Sequence, residues 1–167
     1  MRILAISGSL RTRSSNTTLL RAAAVVAPSD ASIELYDGLG SLPHFNPDLD
    51  HGAPPAVVAQ FRADVARSDA LMISSPEYAH GVPGTLKNAL DWLVGGVEIN
   101  GKPVALVNAS ARAAYAQAAL KETLTVMGAN VFSSTISLDG RKNLDVDAMA
   151  SDPDISRALR AAIDDLR

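Results

Sequence analysis

A three-layer α/β sandwich, with a five-stranded parallel sheet in the order 2-1-3-4-5 covered by helices on both faces, is predicted by three features of the sequence. Short β-rich apolar runs alternate with segments of helical period. The runs LAIS, ALMIS and VALVN are apolar almost throughout, as strands buried on both faces are. The intervening segments are long enough to be the crossovers that parallel strands require. Strands are expected at Arg2–Ser7, Ser32–Tyr36, Ala70–Ser75, Val104–Val107 and Val131–Leu138. Helices are expected at Ser15–Val26, Pro54–Arg67, Pro83–Val94, Ala113–Met127 and Asp145–Leu166. Such a sheet holds ligands at the carboxyl ends of strands 1, 3 and 4, beside the point where the strand order reverses. The Pro-rich connection Gly38–Ala53 is long and reads as ordered, a lid or a subunit contact.

The 167 residues fit one domain spanning 1–167, large enough to fold on its own core. The absence of cysteine excludes disulfides, thiolate catalysis and Cys-ligated metal centres, so redox chemistry has to come from a bound cofactor. His44, His51 and His80 show no metal-ligand spacing, and no G-x-S-x-G elbow is present. No signal peptide or membrane-spanning run is apparent, which predicts a cytoplasmic protein. A net charge of −3 and 4% aromatic residues argue against a nucleic-acid surface. Charge is unevenly spread, however. No Asp or Glu occurs between Met1 and Ser29, whereas Arg2, Arg11, Arg13 and Arg21 do.

The first expected strand runs through SGSLRTRSSNTTLL into a helix. A helix N-terminus offers unpaired N–H groups and partial positive charge. Ser9, Ser15, Asn16 and Thr17 add hydroxyl and amide donors, and Arg11 adds the formal charge that a phosphate monoester calls for. Simple capping by Ser14, Ser15 or Asn16 is the alternative, but one cap accounts for one residue and leaves the rest of the cluster unexplained. With a single glycine, Gly8, and no lysine, the loop is neither a P-loop nor a dinucleotide fingerprint, although Asp37 stands where a ribose-binding acid would be placed.

After the third strand comes SSPEYAHGVPGTLKNALDWLVGG. Pro76, Gly81, Pro83 and Gly84 make a tight loop with few bulky side chains, so that backbone groups can closely approach a flat ligand, with Tyr78 able to cover part of a ring face. His80 is either a hydrogen-bonding partner for a ligand or a structural histidine, and Glu77 is assigned no proton-transfer role. Lys87 and Asp91 are spaced to pair along a helix. Trp92 reads as core or interface packing.

Taken together, GSLRTRSSN and PEYAHGVPGTLKNALDW resemble the NAD(P)H-dependent FMN reductase family, whose flavodoxin-like members include quinone, chromate and azo-dye reductases. The resemblance implies bound FMN, with Ser9, Arg11, Ser15, Asn16 and Thr17 on its phosphate. It places Pro76, Glu77, Tyr78, Ala79, His80 and Gly81 around the isoalloxazine ring, mostly through backbone, and Ser110 beside the cofactor. It implies NADPH or NADH as co-substrate, a quinone-like or other small-molecule acceptor, and a ping-pong cycle on one exposed flavin face without a catalytic side chain. It also implies a homodimer or homotetramer. Two positions depart from the family. Ala79 replaces a common Asn, and NASARAAYAQAAL replaces a glycine-rich turn after the fourth strand, with Arg112 a candidate for a nucleotide phosphate or a solvated helix start. Rival readings are an FMN electron carrier and a flavin-binding regulatory module, both without NAD(P)H oxidation.

Overall fold

The computed structural model describes residues 1–110, 113–136, 138 and 145–167. Five parallel strands, β1 (Arg2–Ser7), β2 (Ser32–Tyr36), β3 (Ala70–Ser74), β4 (Pro103–Asn108) and β5 (Asn130–Thr135), form one sheet in the order β2-β1-β3-β4-β5. This is the expected order, in a three-layer α/β sandwich.

Its two cores follow from the period-two alternation of side chains along a strand. Ile3, Ala5, Met72, Ala105 and Val107 face one side, where they pack with helix α1 (Ser15–Val26) and with α5 (Val146–Ser151) and α6 (Pro153–Asp164). Leu4, Ile6, Leu71, Ile73, Val104 and Leu106 face the other, against α2 (Ala56–Arg67), α3 (Gly84–Val94) and α4 (Ala114–Val126). Central β3 is buried at every position, whereas edge strand β5 has only exposed and half-buried residues. In-register pairing of Ile3 with Ala70 and of Ser7 with Ser74 brings β1 and β3 to a common carboxyl edge.

One expected helix is two. Pro153 cannot donate a backbone hydrogen bond and forces the preceding residue out of helical geometry. Asp152 accordingly sits at φ −69°, ψ 120°, ending α5 and capping α6 by accepting the N–H groups of Asp154 and Ile155 at 3.0 and 3.1 Å. The fifth strand is also shorter than expected, ending at Thr135. Ser137 in the expected strand, and Arg112, lie outside the described residues.

The 38–53 connection is tied to α2 and α3 by side-chain hydrogen bonds. Trp92, fully buried, donates its indole N–H to Pro43 O at 2.8 Å and meets Phe45 edge-on at 5.0 Å between ring centroids. Asn88 Nδ2 donates to the same Pro43 carbonyl at 2.9 Å, while its Oδ1 accepts the N–H of Phe45 at 2.8 Å. The Arg62 guanidinium grips both carboxylate oxygens of Asp50, at 2.7 and 2.9 Å, and also donates to Trp92 O. The expected Lys87–Asp91 pair is present at 2.5 Å on the exposed side of α3.

Between β3 and α3 the chain makes a two-residue hairpin. Tyr78 and Gly81 exchange both backbone hydrogen bonds, at 3.1 and 2.9 Å, and the intervening Ala79 and His80 have φ values of 49° and 60°. Positive φ at both central residues defines a type I′ turn, which favours Asn and Gly because a Cβ is crowded in that region.

Two outcomes are predicted. Ala79→Asn relieves part of this strain and raises unfolding stability by about 1 kcal/mol in urea denaturation. At Asp50, the hydrogen bonds from Arg62 hold the carboxyl below its ordinary value of 3.8. A carboxyl whose folded pKa is depressed stabilises the fold above its unfolded pKa and loses that contribution as pH falls through the folded value. The wild type is therefore more stable than Asp50→Asn above about pH 4, and the difference narrows progressively below it, as parallel denaturation curves would record.

Candidate functional site

At the carboxyl edge of the sheet a cavity of about 510 Å³ opens between the ends of β1, β3 and β4, within the range of roughly 300–1,000 Å³ common for small-molecule sites. It lies where the strand order reverses: β1 connects outward to β2, and the chain then returns to β3 on the other side of β1.

One wall is the entry to α1. Ser14, at φ −111°, ψ 122°, is the N-cap, and its Oγ accepts the N–H of Thr17 at 3.4 Å. Capping thus falls to Ser14 and leaves the side chains of Ser15 and Asn16 free of that role. Among the described residues the N–H groups of Ser15 and Asn16 meet no protein acceptor, and the first turn carries no acid. Asn16 is buried with its Oδ1 accepting from Ser74 Oγ at 2.9 Å, which leaves Nδ2 without a described acceptor. Ser9 Oγ accepts the N–H of Arg11 at 3.3 Å and shapes the loop before the helix. Arg11 and Arg13 both line the cavity, are exposed, and make no ion pair among the described residues.

The opposite walls come from the ends of β3 and β4. Ser75, Pro76, Glu77 and Tyr78 form one, and Asn108, Ala109, Ser110 and Ala113 form the other. Asn108 Oδ1 accepts the N–H of Ser110 at 3.0 Å, which turns the chain away from the strand end. Close approach at the base requires Gly8, because a Cβ there would stand 2.7 Å from Ser75 Oγ and 3.1 Å from Leu86 Cδ2. The cavity's carboxylate, Glu77, is engaged by the N–H of Ala116 in α4 at 2.8 Å.

Of the residues singled out from the sequence, Ser9, Arg11, Ser15, Asn16, Pro76, Glu77, Tyr78 and Ser110 line this cavity together. Thr17 does not; its hydroxyl lies 2.8 Å from Ser7 Oγ, tying α1 to β1. Ala79, His80 and Gly81 form the turn beside the mouth, where His80 stacks on Tyr115 with ring centroids 4.3 Å apart. Asp37 lines a separate groove with Tyr36 and Gly38. Arg13, Ser14, Ser75 and Asn108 were not expected. Arg13 had been visible in the basic run, and Asn108 as a polar residue ending an apolar strand, but neither signal names a ligand.

The cavity's residues fit an anion with a flat extension: donors and guanidinium charge without described partners at the α1 end, and Pro76, Glu77 and Tyr78 at the end of β3. Comparison with known proteins points the same way. The family model for NADPH-dependent FMN reductase matches residues 1–143. The NAD(P)H-dependent FMN reductase of Pseudomonas aeruginosa is 41% identical over 133 residues, covering 76% of this chain and 71% of its own. A quinone reductase of Pseudomonas putida is 39% identical over 111 residues, which cover 65% of this chain and 59% of that protein. Among solved structures, the flavoenzyme NAD(P)H:acceptor oxidoreductase FerB of Paracoccus denitrificans superposes with a TM-score of 0.77 at 29% identity, over 99% of this chain and 96% of that one. All three segments that line the cavity, after β1, β3 and β4, fall inside the matched span, and the chain belongs to the NADPH-dependent FMN reductase family.

Proposed function

We propose that this chain holds FMN in the cavity at the sheet's carboxyl edge and passes electrons from NADPH or NADH to a small quinone-like acceptor, both reactants using one open face in turn. One observation carries the reading: among the described residues, the α1 N-terminus presents N–H groups without protein acceptors, Asn16 Nδ2 and two arginines without ion pairs to a cavity also lined by Pro76, Glu77 and Tyr78. Ser9, Arg11, Ser15 and Asn16 would take the phosphate monoester, and the backbone of Pro76–Tyr78 would border the ring. Bound there, FMN would supply the two-electron chemistry that a cysteine-free chain lacks. The protein's part is positioning. The hairpin and its rings leave the mouth open beside Tyr78, which is 52% exposed, as a site serving two reactants in succession requires.

Work as a homodimer or homotetramer belongs to the same proposal. Exposed Val94, Val97 and Val126 supply apolar surface for a second copy.

Two measurements test it. Arg11→Ala weakens FMN binding about 10- to 100-fold, the worth of a charge-assisted hydrogen bond of about 1.5–3 kcal/mol, and leaves riboflavin affinity nearly unchanged in fluorescence titrations. Equal loss for both ligands places the phosphate elsewhere. The FMN-reconstituted protein is bleached in the visible on anaerobic addition of NADPH or NADH and regains colour with a quinone. A yellow protein that neither nucleotide bleaches is instead a carrier or regulatory flavoprotein.

A further inference from the structure

Residues following β3 and β4 line the same cavity, and α4 begins shortly after β4. Its first turn lacks a local cap, because the N-cap position is Ala113, which has no side-chain acceptor. Helix-initial N–H groups left unpaired are costly when water cannot reach them freely. The N–H of Ala116 is satisfied from 39 residues away, by Glu77 Oε2 at 2.8 Å. A carboxylate is well suited to that place, since its charge also meets the positive end of the helix. A second contact joins the same two segments, the stack of His80 on Tyr115.

Glu77 and Tyr78 line the cavity from the wall after β3, and Ser110 and Ala113 line it from the wall after β4. A bond that fixes Glu77 to α4 therefore fixes the width of the slot between these walls. We infer that Glu77 is a positioning residue: its carboxylate is the long-range N-cap of α4, and through it the shelf after β3 holds the wall after β4 in register for the cofactor. This rests on the FMN reading of the cavity. Glu77 does its work by accepting a hydrogen bond, without moving a proton or touching the reacting atoms.

The test compares wild type, Glu77→Ala, Glu77→Gln and the double variant Glu77→Ala/Ala113→Ser by amide hydrogen exchange at Ala116 without ligand, and by fluorescence titration with FMN. In Glu77→Ala, protection at Ala116 and FMN affinity both fall on the order of tenfold, the usual scale for loss of a cap. Gln keeps an oxygen acceptor and recovers most of both. Ser at position 113 offers a local hydroxyl to the same N–H and restores FMN binding although Glu77 is gone. If Glu77→Ala does not fold, recovery of a folded, FMN-binding protein in the double variant supports the inference, and its failure overturns it. Unchanged FMN affinity in Glu77→Ala overturns the inference while leaving the FMN reading intact. A loss that neither Gln nor Ser repairs overturns it too, because the carboxylate then acts on the ligand directly. Wild type that does not bind FMN removes the FMN reading instead, and hydrogen exchange at Ala116 still decides whether Glu77 caps α4.

Discussion

Backbone N–H groups at the start of α1 cannot be satisfied within the helix, and the fold places them against the ends of the two central strands. Everything about the site depends on that placement. The helix end brings partial positive charge to the point where β1 and β3 diverge into different connections. Arg11 and Arg13 then add formal charge at the mouth, where exposure spares them the desolvation cost of burial. The anionic ligand proposed above would complete an arrangement in which the arginines have no described ion pair.

Keeping such donors in place requires polar groups to be buried at the sheet edge. Ser74 and Asn108 are almost wholly buried, and Asn16 and Ser7 nearly so. Burying polar atoms is unfavourable unless each finds a partner. Ser74 pairs with Asn16, Ser7 with Thr17, and Asn108 with the backbone of Ser110. Each of these bonds joins a strand end to the loop or helix that follows it or its neighbour. The same bonds that satisfy the buried atoms therefore orient the cavity walls, so that Thr17, outside the cavity, still contributes to its shape.

The connection between β2 and α2 illustrates a different balance. It buries Leu39 and Leu42 in the core and packs Phe45 against it, and Trp92, Asn88 and Arg62 on the helices beneath tie down its polar groups. Trp92 acts as both core and anchor. At the β3–α3 turn the situation is reversed, because Ala79 and His80 are held at unfavourable φ by the paired Tyr78 and Gly81 and by the stack on Tyr115. The substitution of Ala for the family's common Asn is therefore a matter of backbone conformation as well as of a missing side-chain contact.

The sheet order, the layers and the clustering of Ser9, Arg11, Ser15 and Asn16 at one helix start were legible in the sequence, because periodicity and helix-start chemistry are local and are written in neighbouring residues. The break at Pro153 was legible in principle too, and was obscured by the apolar period continuing across it. Contacts between distant segments were not legible in the same way. Nothing adjacent to Glu77 shows that it meets Ala116, nothing near Pro43 shows that its carbonyl serves Trp92, and nothing beside Thr17 shows that its hydroxyl meets Ser7. Sequence by itself determined which residues carry donors, charge and apolar surface. The tertiary structure decided which of those donors are already satisfied within the protein, because a hydrogen bond depends on distances of about 3 Å that only the packed chain sets.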